Sequence, residues 1–372
     1  MAIIKPFKAY RPVKELASKI AALPYDVMNT EEAREMVEEN EYSFLHVDRG
    51  EINFPGKVNI YSEEVYKKSR EVLDEMIEKK YYIQDENQCF YIYRQTMNGK
   101  SQIGLVMCAS VDDYINNIIK KHEKTRADKE RDRINHVDYC DAHTGPIFLT
   151  YRENYGISKI IDESIKEEPV YDFISEDGNG HTVWVINDEE KINKLIHLFK
   201  DVKYMYIADG HHRTKSAVEV CLKRRKENPN YNGTEGFNYF LAIAYPDSEL
   251  EVLDYNRTVK DLNGLSKEAF FKAVEEKFTV EKTLNNERFK PDSKHTFGMY
   301  IDKEWYKLEA KEGSFDENDP TDRLDVSILQ NNLLSPILGI DDPTKSDRIE
   351  FIGGIRGLRE LEKRANTDMR VS

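Results

Sequence analysis

The stretch that most constrains the fold is residues 204–214, where an apolar, β-prone run passes through one glycine into a helical pattern. Tyr204, Tyr206 and Ala208 alternate with Met205 and Ile207, which predicts a strand buried on both faces. After Thr214 the apolar residues recur at helical spacing, and Lys and Arg follow near the far end. The pattern therefore predicts a strand, a tight turn and a helix in direct succession.

The turn itself is polar throughout and consists of Asp209, Gly210, His211, His212 and Arg213. The first turn of a helix presents backbone N–H groups to an anion, and a glycine lets a ligand approach the backbone closely. The imidazoles and the guanidinium add donors for phosphate oxygens, and the carboxylate suits Mg²⁺ or a proton. These residue types predict a ligand site, although a plain strand–turn–helix with satisfied histidines is the ordinary alternative.

Whole-chain properties set the class of protein. A length of 372 residues favours two domains, and we place them at 1–262 and 263–372, with a boundary near Leu262. The net charge of −14 disfavours nucleic acid and anionic membranes as partners. No run is apolar enough to span a bilayer, and the start lacks a signal-peptide core. Four scattered cysteines without a CxxC pair indicate a cytoplasmic protein without a disulfide framework.

Two further segments carry polar residues in loop-like contexts. Tyr25, Asp26 and Asn29 precede a predicted helix for which Thr30 is the expected N-cap, and a plain turn and a site are equally compatible with them. Residues 121–133 are charged, with one small apolar residue, so they form either a solvated helix or the lining of a polar cleft. Between residues 61 and 111, a helix and a hairpin turning at Asn98-Gly99 are predicted.

Four motifs, in this order, resemble the bacterial and archaeal domain-of-unknown-function family 1015, and the resemblance covers nearly the whole chain. The motifs are Pro24-Tyr25-Asp26-Val27-Met28-Asn29, His122-Glu123-Lys124-Thr125, Gly145-Pro146-Ile147-Phe148-Leu149 and Ala208-Asp209-Gly210-His211-His212-Arg213. That family is similar to the ParB/sulfiredoxin superfamily and to free serine kinases. The resemblance implies a mixed α/β (α+β) fold with a ParB/sulfiredoxin-like catalytic core, an inserted helix–hairpin block at about 51–111, and a smaller C-terminal α/β domain.

The same resemblance implies an activity. It is phosphoryl transfer between a nucleotide, ATP or ADP, and a small hydroxyl substrate, with free L-serine and O-phosphoserine as the expected pair. The nucleotide would be bound by Gly210, His211, His212, Arg213 and Thr214. Asp209 would be catalytic and would hold Mg²⁺. The resemblance also favours the cleft for residues 121–133.

The remaining implied roles concern the hydroxyl substrate. Asp26 and Glu123 are both candidates for the catalytic base, and the motifs do not decide between them. The expected substrate contacts are Tyr25, Asn29, Arg126 and His143. The expected partners are this small substrate and the nucleotide, with a homodimer as a possible assembly; the nucleotide identity and the direction of the reaction stay open.

The sequence departs from the family pattern in two places. Relatives commonly have His where Asn256 stands, in a His-Arg pair before the second domain. They also continue past a final helix into a Pro-Pro-Lys-Ser-Thr segment that is not present in these 372 residues. If that segment closes the site, we expect residues 1–372 alone to have impaired activity.

Two other functions are compatible with the residues. One is a metal-dependent phosphohydrolase with Asp209, His211, His212 and His143 as ligands, which is disfavoured because adjacent histidines on one helix rarely share a metal. The other is a nucleotide-binding switch without turnover, as in ParB proteins. A nucleotide screen with product detection separates these from the kinase.

Overall fold

Residues 1–122 and 127–372 are described by a computed structural model, which divides them into two compact units, Met1–Leu250 and Glu251–Ser372. The division falls earlier in the chain than the boundary predicted near Leu262. The reason is that the strand Tyr255–Val259 pairs with Ile349–Gly353, so it belongs to the sheet of the second unit.

The strands of the first unit form mostly one mixed sheet. They are β1 (Ile4–Lys5), β2 (Tyr10–Pro12), β3 (Tyr82–Gln84), β4 (Phe90–Met97), β5 (Lys100–Ser110), β6 (Ile119–Lys120), β7 (Ile147–Tyr151), β8 (Tyr171–Ile174), β9 (Gly180–Ile186), β10 (Met205–Asp209) and β11 (Tyr239–Pro246). The described part of this sheet has the order β6-β10-β7-β11-β5-β4-β9-β8, with β1 paired to β5 and with β2 and β3 in a separate pair.

The helices of the first unit are α1 (Ala17–Ile20), α2 (Thr30–Val37), α3 (Leu45–Asp48), α4 (Glu63–Glu78), α5 (Val111–Ile115), α6 (Ala127–Cys140), α7 (Tyr155–Ser164), α8 (Glu189–Phe199) and α9 (His211–Glu227). Helix α9 packs on β7 and β11, α6 packs on α9, and α4 packs on α6. Outward from the sheet, the order of these helices is therefore α9, α6 and α4.

The predicted hairpin between β4 and β5 is confirmed. Asn98 and Gly99 both have positive φ, at 53° and 77°, the geometry that a two-residue hairpin turn needs. β5 pairs with β11 on one side, β4 pairs with β9 on the other, and the hairpin therefore lies in the middle of the sheet.

Strands β7 and β10 are neighbours, as predicted, and run antiparallel. The prediction that the strand is buried on both faces is wrong. Met205 and Ile207 are buried in the main core, whereas Tyr206 is 39% exposed and Ala208 is also exposed. Only one face of β10 contacts the core. Burial on both faces, inferred from the apolar run at 204–208, was therefore an overestimate.

The second unit contains β12 (Tyr255–Val259), β13 (Phe278–Lys282), β14 (Thr296–Ile301), β15 (Glu304–Ala310) and β16 (Ile349–Gly353), with α10 (Lys267–Lys277), α11 (Asp325–Leu329) and α12 (Gly357–Thr367). β13, β15 and β14 form an antiparallel sheet in that order, and β12 pairs with β16. A π-helical turn, Gln330–Leu334, follows α11 directly. The fold is thus mixed α/β in both units, as expected.

None of the described helices combines the length and the apolar character that crossing a membrane requires.

Candidate functional site

The predicted turn is present, and its geometry explains its glycine. β10 ends at Asp209, Gly210 adopts φ 91°, and α9 begins at His211. The Thr214 backbone N–H and its Oγ1 both donate to the Gly210 carbonyl at 2.9 Å, which closes the first turn. The first turn has no acidic residue and Gly210 offers no side-chain cap, so this helix end keeps its positive dipole for a ligand.

Arg213 folds back over the turn. Its Nη2 donates to Asp209 Oδ2 at 2.6 Å, one helical turn away. A Cβ on Gly210 would lie 3.1 Å from Arg213 Nε, and one on Gly145 would lie 3.3 Å from Arg213 Nη1. Both glycines therefore make room for the guanidinium, and the turn before β7 and the turn after β10 meet at this side chain.

Sheet pairing explains why these turns meet. Asp209 of β10 is opposite Phe148 of β7 in an antiparallel register, so the end of one strand adjoins the start of the other. β6 runs parallel to β10, with Lys120 opposite Tyr206, and the residues after both strands leave the same edge of the sheet. Among the described residues, one edge thus collects the Gly145 and Gly210 turns together with His122.

His122 and His211 contact each other at this edge. Their rings are 4.5 Å apart between centroids and nearly perpendicular, at 83°. His211 is 6% exposed, whereas His122 is exposed. His212 Nδ1 is buried and has no hydrogen-bond partner within the described residues. The first turn of α9 therefore carries two imidazoles at the N-terminal end of the helix.

A second polar cluster lies between α4, α6 and the loop before α2. The Arg133 guanidinium stands 4.1 Å from the centroid of the Tyr25 ring and pairs with Asp132 at 2.8 Å. Tyr66 donates its hydroxyl to Asp132 Oδ1 at 2.8 Å. Burial lowers the pKa of Arg133, but Asp132, Tyr25 and Asp48 outweigh it, and the net pKa shift is upward. Arg133 is therefore a fixed positive charge under Tyr25.

Tyr25 connects the two clusters electrostatically. Burial raises the pKa of Tyr25, Arg133 lowers it, Asp26 raises it and Arg213 lowers it, with a net rise. The hydroxyl therefore stays protonated near neutral pH and can donate a hydrogen bond. Arg213 of the Gly210 turn is thus among the charges that act on this hydroxyl.

The loop that carries Tyr25 is held by Arg49. Arg49 Nη1 donates to the Tyr25 carbonyl and Nη2 to Thr30 Oγ1, both at 3.2 Å. Arg49 Nε lies 3.0 Å from Glu51 Oε1, but its alignment is too poor for a hydrogen bond, so this contact is an ion pair only. Thr30 Oγ1 also donates to Glu51 Oε1 at 3.2 Å.

Asn29, not Thr30, is the N-cap of α2. Its Oδ1 accepts from the backbone of Glu31 at 2.9 Å and of Glu32 at 3.0 Å, and Glu32 Oε2 accepts from the Asn29 backbone. This is a complete capping box. The expected substrate contact through Asn29 therefore has only the amide NH₂ of that side chain left to use.

His143 is also held by the backbone. Its Nε2 bonds the Tyr239 carbonyl at 3.1 Å, which makes Nε2 the protonated nitrogen. Burial lowers the pKa of His143, so the ring is neutral near pH 7. The bond ties the loop before β7 to the start of β11.

Of the predicted site residues, Glu123 and Arg126 lie outside the described residues. The turn residues Asp209 to Thr214 are together, and Arg213 among them acts electrostatically on Tyr25. The predictions did not include Arg133, Asp132 and Tyr66. A run of charged residues is typical of a solvated surface, and only the packing of α4 on α6 shows that part of it is buried. The aromatic residue at 66 on the buried face of α4 was the available signal.

The described residues contain no group of three or more His, Cys, Asp or Glu side chains arranged to hold a metal ion. The ligand set Asp209, His211, His212 and His143, considered for a metal-dependent hydrolase, is therefore not assembled as such. A single carboxylate such as Asp209 still suits Mg²⁺ that arrives with a nucleotide, because phosphate oxygens and water complete its coordination.

Comparison with known proteins gives one match. No curated protein and no solved structure matches the chain. The model of the family described as "Protein of unknown function (DUF1015)" matches residues 4–327, which include all four motifs and the Gly210 turn. The chain therefore belongs to that family.

Proposed function

We propose that this protein is a phosphotransferase that moves a phosphoryl group between ATP or ADP and the hydroxyl of a small substrate, with free L-serine as the first candidate. In this proposal the first unit has a ParB/sulfiredoxin-like core. The observation that carries the proposal is the Gly210 turn: a left-handed glycine, an uncapped 17-residue helix and an arginine clasped between two glycines.

The Asp209–Arg213 pair suits an exchange of partners when a nucleotide binds. The Asp209 side chain is 72% exposed, and an exposed ion pair contributes about 0–1 kcal/mol. A charge-assisted hydrogen bond to phosphate contributes about 1.5–3 kcal/mol. Arg213 would therefore gain by turning to a phosphate, which releases Asp209 for the Mg²⁺ that accompanies the nucleotide.

The second cluster suits the hydroxyl substrate. Tyr25 offers a protonated hydroxyl, and Arg133 beneath it offers a positive charge that cannot easily leave. A carboxylate of a small amino acid is the ligand that such a pair would recognise. Asp26 next to Tyr25 is a candidate for the base, and Glu123 is the other candidate.

Phosphoryl transfer needs mainly positioning and charge neutralisation, which is what the turn can supply. The test is incubation with L-serine, Mg²⁺ and each of ATP, ADP and CTP, followed by detection of O-phosphoserine. Formation of O-phosphoserine supports the proposal. Release of inorganic phosphate without it would indicate a phosphohydrolase, and nucleotide binding without any product would indicate a switch.

A further test is the Arg213→Met variant, which keeps an unbranched apolar stem but loses every donor. Activity that survives this change would remove the nucleotide from the turn and, with it, the proposal.

A further inference from the structure

Strand β10 has an irregularity directly before its last residue. Ile207 is opposite Leu149 of β7, but Asp209 is opposite Phe148, which is the adjacent residue along β7. Ala208 is therefore an extra residue in β10, which is the arrangement of a β-bulge. Without the bulge, side chains would alternate regularly along β10, and Asp209 would point to the main core as Ile207 does.

The bulge turns Asp209 to the other face of the sheet. Residues that are directly opposite each other on neighbouring strands point to the same face, so Asp209 shares its face with Phe148. The exposures agree with this orientation, because the Asp209 side chain is 72% exposed and Ile207 is 1% exposed. Bulges next to functional sites commonly re-aim a side chain in this way.

Three aromatic residues from three adjacent strands lie on the same face: Tyr206 of β10, Phe148 of β7 and Tyr245 of β11. Tyr206 and Tyr245 are both paired with Thr150, two residues after Phe148 along β7, so all three rings are on the side of Asp209. The rings of Phe148 and Tyr245 contact each other, with centroids 4.6 Å apart and an angle of 50°. We call Tyr206, Phe148 and Tyr245 the aromatic surface.

The aromatic surface is open at β10 and packed at β11. Tyr206 is 39% exposed and Phe148 is half-buried, whereas Tyr245 is 4% exposed. A Cβ on Gly104 of β5 would lie 2.9 Å from the Tyr245 ring, so the glycine makes room for this ring on the sheet. Tyr245 therefore supports Phe148 from one side, and Phe148 and Tyr206 are the rings that a ligand can reach.

The neighbours of these rings on the sheet are uncharged. Thr150 lies between Tyr206 and Tyr245, and Ile243 of β11 is opposite Phe148. Aromatic rings bind a flat heterocycle by stacking, and they accept any nucleobase because every base has a π-face. An uncharged aromatic surface beside Asp209 therefore suits the base of a nucleotide better than its phosphates.

We propose that the aromatic surface binds the base of the nucleotide whose phosphates are bound at the Gly210 turn. The inference rests on the proposed function, because it needs the phosphates at that turn. Opposite residues of an antiparallel pair have Cα atoms about 4.5–5.5 Å apart, so Phe148 adjoins Asp209 directly. The base is joined to the phosphates through one ribose and must lie close to them. The core face offers it no space, because Leu149 and Ile207 are buried there.

The test compares ATP with inorganic tripolyphosphate, which has the same chain of three phosphates and no base. Both are titrated by calorimetry into the full chain in the presence of Mg²⁺. We expect the native protein to bind ATP at least about tenfold more tightly than tripolyphosphate. Phe148→Leu keeps an apolar side chain but removes the ring, so ATP affinity should fall about tenfold while tripolyphosphate affinity stays the same.

Phe173→Leu is the matched control. Phe173 is also half-buried and lies on the same face of the sheet, opposite His181, but it belongs to β8, at the far end of the strand order β7-β11-β5-β4-β9-β8. The variant loses the same ring without touching the aromatic surface, so both affinities should stay native. Tyr206→Leu should weaken ATP binding in the same direction as Phe148→Leu, and it also should leave tripolyphosphate binding unchanged.

Proton NMR of the nucleotide supplies a readout that a merely structural role would not move. Stacking on an aromatic ring shifts the base protons H2 and H8 of bound ATP upfield, and this shift should become smaller in Phe148→Leu. The comparison of the two ligands and the shift in the native protein need no variant, so they decide the question even if a substitution impairs folding.

The outcomes separate this inference from the proposed function. If the native protein binds tripolyphosphate as tightly as ATP, or if Phe148→Leu weakens both ligands equally or neither, the base does not lie on the aromatic surface, and the phosphate site at the Gly210 turn still stands. If the native protein binds neither ligand, the proposed function fails, and the inference fails with it.

Discussion

Two arginine–aspartate pairs of the first unit have the same composition and opposite surroundings. Arg213 and Asp209 lie at the edge of the sheet, with side chains 25% and 72% exposed, whereas Arg133 and Asp132 are 12% and 15% exposed between helices. An exposed pair can exchange partners at little cost, but a buried pair cannot separate without leaving a charge out of water. In the proposed function, the first pair would therefore bind the nucleotide, and the second would hold the surface that the substrate meets.

Removing the buried guanidinium should have the largest effect. Arg133→Met leaves Asp132 buried with the Tyr66 hydroxyl as its remaining hydrogen-bond partner among the described residues, so we expect a loss of about 3–5 kcal/mol in the free energy of unfolding. Urea denaturation measures it. The control is Arg213→Met, where we expect a loss of at most about 1 kcal/mol. Similar losses for the two variants would mean that the pairs do not differ as their exposure indicates.

The exposed pair should matter for nucleotide binding instead. Arg213→Lys removes the planar fork that can hold phosphate at two atoms, so we expect nucleotide affinity to fall by about 1.5–3 kcal/mol while stability hardly changes. Calorimetric titration measures it. Arg126→Lys, in the charged segment outside the described residues, should leave nucleotide affinity nearly unchanged. Equal losses at both positions would show that the phosphate contacts extend beyond the turn.

Asp209→Asn tests the other half of the exposed pair. The substitution keeps the size and a hydrogen-bond acceptor but loses the charge that would hold Mg²⁺. We expect the rate of phosphoryl transfer to fall at least about tenfold, roughly 1.4 kcal/mol, while the free energy of unfolding shifts by no more than about 0.5 kcal/mol. A rate that stays the same over a range of Mg²⁺ concentrations would contradict the metal role.

The contrast between the pairs also shows what the sequence could reveal. The Gly210 turn could be predicted because the features that define it are local: an apolar run, one glycine and a helical period. The Asn98-Gly99 hairpin was readable for the same reason. The central place of that hairpin in the sheet was not, because the strands that flank it, β9 and β11, lie far along the chain.

The buried pair of Arg133 and Asp132 could not be predicted, for a related reason. Arg133 belongs to a segment without an apolar stripe, which is the pattern of a solvated helix. It is buried because Tyr66 of α4 and Tyr25 of a distant loop pack onto α6. Likewise β6, a two-residue strand that places His122 beside His211, has no length from which a pattern could predict it.

A third buried charge separates the effect of burial from that of pairing. Asp113 is 2% exposed, its Oδ2 accepts a hydrogen bond of 2.6 Å from the backbone of Ile3, and no side-chain cation pairs with it in the described residues. Burial raises the pKa of Asp113 to about 6, although the Ile3 bond opposes this rise. Unlike Asp132, it is thus a carboxylate that the fold prefers to keep protonated.

The smallest predicted effect follows from that pKa. Because the pKa in the folded state lies above the value of about 4 in an unfolded chain, the folded protein holds the extra proton between pH 4 and 6. Stability should therefore fall as the pH rises through this window, and the penalty persists above it. Asp113→Asn keeps an acceptor for Ile3 and cannot ionise, so at pH 7.5 it should be about 1 kcal/mol more stable than the native chain, with the difference vanishing near pH 4. Urea denaturation at several pH values measures this. A stability difference between Asp113→Asn and the native chain that does not depend on pH would show that burial of the Asp113 charge is not its cause. A large loss in the Arg133→Met variant would then also need a cause other than a buried charge.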